Sequence, residues 1–458
     1  MGVEYMAEFN TVVTNTLISS AWANAILDHA FEKPCSFIVR KKDSYYEAIN
    51  GSTGKIDYGG SGNAGGVSGT NASAVIQATI NALTSRGKIF IKAGVYVITS
   101  PIIIKSDIEI FGECAATYLM AGGANLDIIS NSSQCVRVNL HDFLIDGQLY
   151  NNINAINAIL AASKIFFLHI MDCTGSGIQL KSAGSSWGSR SFETDILFNR
   201  IINCRTAGIN LPQYSSDNII FGNLIDGASS AEPTIRSTCG ISINHGNFVA
   251  YNHLYDNKNN IIVSAPNVRL VDNYFDSSQE HGVILSSDSA IIGAIHIVNN
   301  RFLKQGILGG NNNLYSSIYL SGTNAITNVE IIGNYFQCEE TDKPKHHIEE
   351  NRIILNSNYV LNNFIQDSTG SGPILKNSSS TTRIFNNIGY VTENSETAIG
   401  TGAQQIIAHG CAFTPTDANV VLSNIDDGAN PYISGTPNAT NIYVTAVNTK
   451  KYRWEVKS

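Results

Sequence analysis

The sequence predicts an all-β fold, a right-handed parallel β-helix, and three observations carry that reading. One is an internal repeat of 31 residues, another an Asn plus apolar pair that returns every 21 to 34 residues, and the third a composition of strand and turn formers with few charges. The repeat is gapless: Lys164-Ile-Phe-Phe-Leu-His-Ile-Met-Asp-Cys-Thr-Gly-Ser-Gly-Ile-Gln-Leu180 aligns with Asp195-Ile-Leu-Phe-Asn-Arg-Ile-Ile-Asn-Cys-Arg-Thr-Ala-Gly-Ile-Asn-Leu211. The same grammar recurs at Asn223, Asn252, Asn273, Asn300, Asn334, Asn363 and Asn387. Short alternating strands at such a period define a solenoid, whose coils bury their apolar face only by stacking on one another. Leucine-rich repeats are excluded, because Leu-x-x-Leu-x-Leu spacing is absent and β-branched residues dominate. Each recurrent Asn should stack about 4.8 Å above the next and pass amide hydrogen bonds along a buried column. That column is expected to run from Asn199 to Asn387, with Leu168 at its N-terminal end.

Composition points the same way. A chain of 458 residues exceeds one ordinary core. With 14% charged and 43% hydrophobic residues, 39 Gly and about 50 Asn, it is poor in helix signals and rich in turn and strand formers. A net charge of -8 without a basic run excludes the phosphate neutralisation that nucleic acid requires. No stretch of about 18 apolar residues offers a membrane span, and Met1 to Asn10 lacks the basic and apolar regions of a signal peptide. The eight Cys form no metal-binding spacing and read as buried apolar residues without disulfides.

The chain divides into an N-terminal helix and hairpin segment (1–60), the β-helix with a capping helix (61–392) and a small β-rich C-terminal domain (393–458). In the first segment, Ile18 to Phe31 is amphipathic and Tyr45 to Gly54 reads as a hairpin turning at Asn50-Gly51. Asn71 is expected to cap a helix running to about Ser85, with Ile76, Ile80 and Leu83 on one face and Gly87 ending it. Such a helix covers the open end of the solenoid, where unpaired edges invite aggregation. From about Asn394 the pattern changes to short antiparallel strands at Gln405 to Pro415, Ala418 to Ser423, Asn441 to Thr445 and Tyr452 to Glu455.

Lys88 to Ile98, Pro101 to Glu113 and Ile145-Asp-Gly147 resemble the opening coils of pectate-lyase-like β-helix proteins, and the resemblance extends to about Tyr390. It implies a fold more than a chemistry, since that superfamily holds lyases, hydrolases, epimerases and pure binding proteins. The C-terminal unit looks like the small β-domains of phage and archaeal-virus tail proteins. This resemblance implies a tailspike-like, virion-associated or extracellular protein that assembles as a homotrimer and takes a polysaccharide as its partner.

In a closed β-helix, chemistry must sit on an outer sheet and its flanking loops. Insertions at Lys181 to Thr194, Asp226 to Thr238, Leu303 to Ser317 and Gln337 to Asn351 predict walls around a trough floored by the short coils near Asn252 and Asn273. The floor is expected to carry Asp256, Lys258, Asp276, Glu280 and His281, joined by Asn244 and His245. Glycoside hydrolysis needs two carboxyls, one donating a proton and one acting as nucleophile or base. Glu280 is the leading candidate, since Glu280-His281 replaces Thr206-Ala207 at the mouth of the aligned strand. Its partner is expected among Asp226, Glu232, Asp256 and Asp276, with His281 tuning it.

His281-Gly-Val-Ile-Leu285 resembles the His-Gly element of polygalacturonases. Their catalytic Asp positions are missing, with Asn260 and Cys239 read in the column one and two coils back. The Arg motif and Asp cluster of pectate lyases are also missing, so hydrolysis is preferred over β-elimination. No cofactor is expected, with Ca²⁺ reserved for the lyase alternative. A non-catalytic glycan-binding fibre remains the competing class. For it, aromatic platforms at Trp187, Tyr214 or Tyr315 without paired carboxyls are the expected signature.

Overall fold

A computed structural model describes residues 35–457 except 229–236, 307–313, 340–341, 352–357, 367, 369–372, 377–379, 391–392, 409–410, 412–414, 427–429 and 448–449. The amphipathic stretch Ile18 to Phe31 and the candidate Glu232 lie outside the described residues. The described chain is a right-handed parallel β-helix whose coils each contribute three short strands. One strand per coil enters a parallel sheet, termed the front sheet, which counts eleven strands among the described residues, from Ile102–Ile103 to Ile374–Leu375. A second row runs through Lys164–Phe166, Asp195–Leu197 and Ile219–Phe221, and a third through His169–Met171, Arg200–Ile202 and Leu224–Asp226. Register is exact over the repeat, with Lys164 opposite Asp195 and His169 opposite Arg200.

Burial follows the alternation of the strands. Ile178, Ile209, Ile241, Ile261, Val283 and Ile318 stack in register and are fully enclosed. They belong to one continuous apolar core that runs from Phe37 to Tyr390. No coil could shield this surface alone, so apolar burial and coil stacking are the same event.

The corner between the second and third rows holds the expected Asn column. Asn199, Asn223, Asn252, Asn273, Asn300, Asn334, Asn363 and Asn387 are all buried. Each side-chain amide donates to the next Oδ1, at 2.8 to 3.1 Å, from Asn199 through Asn363. The same Oδ1 accepts the backbone N–H of the preceding Asn, and the backbone N–H of Leu168 closes the column on Asn199 Oδ1 at 3.0 Å. The residue before each Asn turns the chain through the left-handed region, as at Phe198 (φ 53°), Gly222 (φ 68°) and Asn299 (φ 56°). A second, shorter amide column joins Asn218 Nδ2 to Asn247 Oδ1 at 2.9 Å where the second row begins. Sequence analysis missed it because only two successive coils carry Asn there.

At the N-terminal end, Phe37–Lys42 pairs in parallel with Gly87–Ile91 and antiparallel with Tyr45–Asn50, so the hairpin segment continues the second row. Asn50 Oδ1 accepts the N–H groups of Ser52 and Thr53 and forms the expected turn. The helix is Ala72–Ala82, with Asn71 accepting from the Ala74 N–H at 3.0 Å and Val75, Ile76 and Ile80 buried on the core. It stops earlier than expected, at Leu83, whose extended backbone breaks the helix; Gly87 instead opens the next strand.

The C-terminal region forms two three-stranded antiparallel sheets, Glu393–Ile399 with Lys451–Lys457 and Val420–Asn424, and Gln404–Ala408 with Asn441–Thr445 and Tyr432–Gly435. Its own core contains Ile442, Val444, Tyr452 and Trp454. No disulfide is formed among the described residues. Cys135, Cys173, Cys204, Cys239 and Cys411 are buried as expected, but Cys35 and Cys338 are only half-buried and Cys114 is exposed, so these three are not core residues.

Removing one link of the Asn column strands buried N–H and C=O groups on both neighbouring coils. Asn252→Ala is therefore expected to lower the unfolding free energy by about 1 to 3 kcal/mol, measured by denaturant titration. An unchanged midpoint would contradict the ladder's contribution.

Candidate functional site

The front sheet presents an outward row along the helix, Gln179, Asn210, Ser242, Ile262, Ile284 and Tyr319. Its two edges are the turns that enter and leave each strand, and the sequence-predicted residues sort between them. Register places Thr238, Lys258, Glu280, Tyr315 and Lys345 on the entering edge. There Glu280 keeps 18% of its side chain exposed and lies 3.1 Å from Lys258 Nζ through Oε1. Tyr315 OH donates to the same oxygen at 3.5 Å, and Asn259 Nδ2 to Oε2 at 3.4 Å. Burial, then the Glu280 charge, push the Tyr315 phenol above its ordinary value, so it remains a hydroxyl donor.

His281 is stacked on Tyr319 with ring centroids 4.4 Å apart and 6° between planes, and Tyr315 makes an edge contact with it at 5.2 Å. Burial holds its pKa below the ordinary histidine value, so the ring is neutral near pH 7. The Ser316 backbone N–H donates to His281 Nδ1 at 3.0 Å. The Ser316 carbonyl lies 3.2 Å from the same nitrogen, so both backbone groups of Ser316 hold this side of the ring. Asn259, not Asn260, precedes His281 in its column: Ile261 pairs with Val283, and Asn259 Oδ1 accepts the His281 N–H at 3.1 Å.

A second carboxyl completes this cluster. Glu349, in the outward row next to Tyr319, accepts the Ser316 hydroxyl at 2.5 Å through Oε2 and pairs with Lys345 Nζ at 2.8 Å through Oε1. Sequence analysis missed it, because the insertion from Gln337 hides the alignment of Ile348-Glu349 with Ile318-Tyr319.

The remaining predicted carboxyls do not join Glu280 directly. Asp226 and Asp276 point outward from the third row, two coils apart, with Tyr255 between them in register. Burial and a hydrogen bond to Asp226 push the Tyr255 phenol up to about 12. His253, on the same face, has its pKa lowered mainly by burial and lies 4.0 Å from Asp276. Asp256 sits at the corner after the third row in a left-handed conformation (φ 57°), where Gln279 Nε2 reaches its Oδ1 at 3.1 Å. The expectation that Asp276 shares a floor with Glu280, and that Asp226 can partner it, thus gives way to two adjacent faces.

The leaving edge carries the other predicted binding residues. Trp187 is 65% exposed, with the Arg190 guanidinium 3.9 Å from its ring centroid. Tyr214 and His245 follow in the next two coils with rings 6.4 Å apart, and Asn244 adjoins them. A cleft of about 440 Å³ near Arg86, Asp107 and Arg137 lies coils away, and its charges are already paired with one another. Among the described residues no group of three His, Cys, Asp or Glu side chains is placed to hold a metal ion, and no helix is long and apolar enough to cross a membrane.

No protein-family model and no curated protein sequence matches the chain. Solved structures do. A tailspike protein mutant of E. coli bacteriophage HK620, in complex with a pentasaccharide, aligns over 98% of this chain and 96% of its own at a TM-score of 0.52 and 12% identity. The ORF18 protein of Geobacillus virus E2 aligns over 82% and 73% at 0.50 and 14% identity. The catalytic unit of a GH87 alpha-1,3-glucanase from Streptomyces thermodiastaticus covers 70% and 66% at 0.50 and 13% identity. The chain has the right-handed parallel β-helix fold of these proteins.

Because burial disfavours the imidazolium, the native state binds a proton at His281 less readily than the unfolded chain does. Its contribution to stability is complete above the unfolded histidine value near 6.5 and falls as pH drops below it. In a ¹³C-histidine NMR titration the His281 midpoint is expected below that value; a midpoint above it contradicts the enclosed, neutral ring.

Proposed function

We propose that this protein is a virus-associated enzyme that hydrolyses a polysaccharide laid along the front sheet, with Glu280 as an essential carboxyl. The observation that carries the reading is the setting of Glu280: a partly exposed carboxylate on the edge of an open sheet, held by Lys258, Asn259 and Tyr315 beside a neutral His281. Sugars are bound by such mixtures of aromatic faces and fixed polar groups. Trp187, Tyr214, His245 and Asn244 on the opposite edge are the binding residues in this reading. The fold likeness to a tailspike carrying a pentasaccharide and to an alpha-1,3-glucanase supports the substrate class and the virion setting.

Lys258, Tyr315 and neutral His281 also favour a second reading, β-elimination from a uronate. There a lysine neutralises the carboxylate and a tyrosine or histidine moves the C5 proton. Product chemistry separates the two. Over a panel of purified bacterial surface polysaccharides, hydrolysis releases reducing ends without new ultraviolet absorbance, whereas elimination generates absorbance near 235 nm.

Glu280→Gln is expected to lower turnover at least about a hundredfold while glycan retention and the unfolding midpoint stay close to the wild type. Wild-type turnover in a folded Glu280→Gln protein removes Glu280 from the mechanism. Assembly follows the same reading: three chains in a closed ring suit a long rod with heterologous contacts, so light scattering is expected to give three times the chain mass, and a monomer overturns the trimer.

A further inference from the structure

We propose that the corner between the second and third rows is the surface on which three copies of this chain associate, side by side and in the same direction, with the exposed rings of Phe167, Phe198 and Tyr251 turned toward a threefold axis parallel to the helix. This rests on the trimeric reading above and assigns the face on which the chains meet.

This corner is an unfavourable place for an aromatic side chain. The residue before Leu168 and before each ladder Asn is left-handed, and at Gly222, Asp272, Asn299, Gly333, Asn362 and Asn386 it is of a type that tolerates that conformation. Phe167 (φ 53°), Phe198 (φ 53°) and Tyr251 (φ 56°) are bulky residues in the same position. They are 53%, 49% and 59% exposed, so neither backbone preference nor burial within one chain accounts for them. The rings form one surface. Phe167 stacks on Phe198 with centroids 5.7 Å apart, Phe198 meets Phe221 at 5.6 Å, and Phe221 meets Tyr251 at 5.1 Å. At Gly222, the one corner of this run without a ring, a Cβ would meet Phe198 Cε1 at 2.5 Å, so the Phe198 ring already covers that coil.

Beside the corner, the outward position that ends each second-row strand is apolar in register from Phe90 to Phe385, broken only by His141. The stripe follows the coil stack for about 50 Å at 4.8 Å per coil. Sugar recognition needs fixed polar groups beside the rings, and charges flanking this stripe are engaged within the chain. Lys88 pairs with Glu109 at 2.9 Å, Lys164 with Asp195 at 3.6 Å, and His296 Nδ1 with Glu330 at 2.7 Å. A parallel copy matches this face in length, repeat and polarity, and the internal pairing lets like charges come level with little repulsion. At about 12 Å wide the stripe offers about 600 Å² per chain, and three stripes around one axis about 1,800 Å², the scale of a stable specific interface. Left uncovered, it would be as large as the largest apolar patches of ordinary monomers.

Two measurements on the full chain test this. Phe167→Asn, Phe198→Asn and Tyr251→Asn together install the residue found at three other corners, which the left-handed backbone accepts. Light scattering of this triple variant is expected to give one chain mass at concentrations where the unaltered protein gives three. In the unaltered assembly, hydroxyl-radical footprinting is expected to modify the three rings severalfold more slowly, relative to the intrinsic reactivity of each residue type, than Trp187, which is 65% exposed. A threefold mass for the folded triple variant, or rings as reactive as Trp187 in the assembly, overturns the corner and leaves the trimeric reading standing. A trimeric variant that no longer retains polysaccharide overturns it too and assigns the stripe to sugar. One chain mass for the unaltered protein at every concentration overturns both. If the triple variant does not fold, the footprint decides, because that measurement needs no variant.

Discussion

The stacking of one coil on the next is the constraint on which everything else in this protein depends. A strand of three residues such as Ile219–Phe221 has no stability alone, and its single inward side chain, Ile220, finds partners only above and below. Backbone hydrogen bonds between coils fix the rise, but parallel strands of near-identical pattern could slip along one another. The Asn column removes that freedom. Each Asn Oδ1 takes both the backbone N–H and the side-chain amide of the Asn in the preceding coil, so a slip of one residue would leave three buried polar groups unpaired at every corner.

Exact register at the corner is transmitted to the front sheet, where it does chemical work. Lys258, Glu280 and Tyr315 come from segments separated by 22 and 35 residues of sequence, yet they line up on one edge because each precedes its strand by the same number of positions. Insertions are accommodated outside this frame. Cys239, Ile318 and Ile348 keep the register of their neighbours although the sequence before each is longer than in the 31-residue repeat.

This explains what could be read from sequence and what could not. Gapless coils were legible: Leu168, the eight Asn and the Glu280-His281 position all follow from the 31-residue alignment, since period-two alternation and a conspicuous corner residue leave no choice of register. Where a coil departs from that length, legibility fails. The column before His281 was off by one at Asn260, because the coil containing Asn259 is shortened to 21 residues. Glu349 was invisible behind an insertion of uncertain alignment. Asp276 was assigned to the floor for another reason: it ends a third-row strand, and the left-handed Ser277 after it (φ 48°) turns the chain around the corner before Glu280.

The enclosed character of the Glu280 to Glu349 cluster also separates it from the other polar faces. On the third row, His253, Tyr274, Arg301 and Tyr335 stack face to face along the helix axis, the rings of His253 and Tyr274 being 4.6 Å apart. Such a ladder spends its ring faces on internal contacts and shows solvent only edges, which suits solenoid stability better than sugar recognition. On the front sheet the same rise is used differently. His281 stacks on Tyr319, and after it comes Gly282, where a Cβ would meet Gln305 Oε1 and the Ser317 carbonyl, each at 2.6 Å. A side chain at 282 would therefore displace Ser317 and Gln305, which lie in the coil that brings Tyr319 onto His281. At Gly208 and Gly240 too a Cβ would meet the carbonyl of the next coil, so the same close packing that the fold requires throughout the repeat also holds the coils that carry His281 and Tyr319 together.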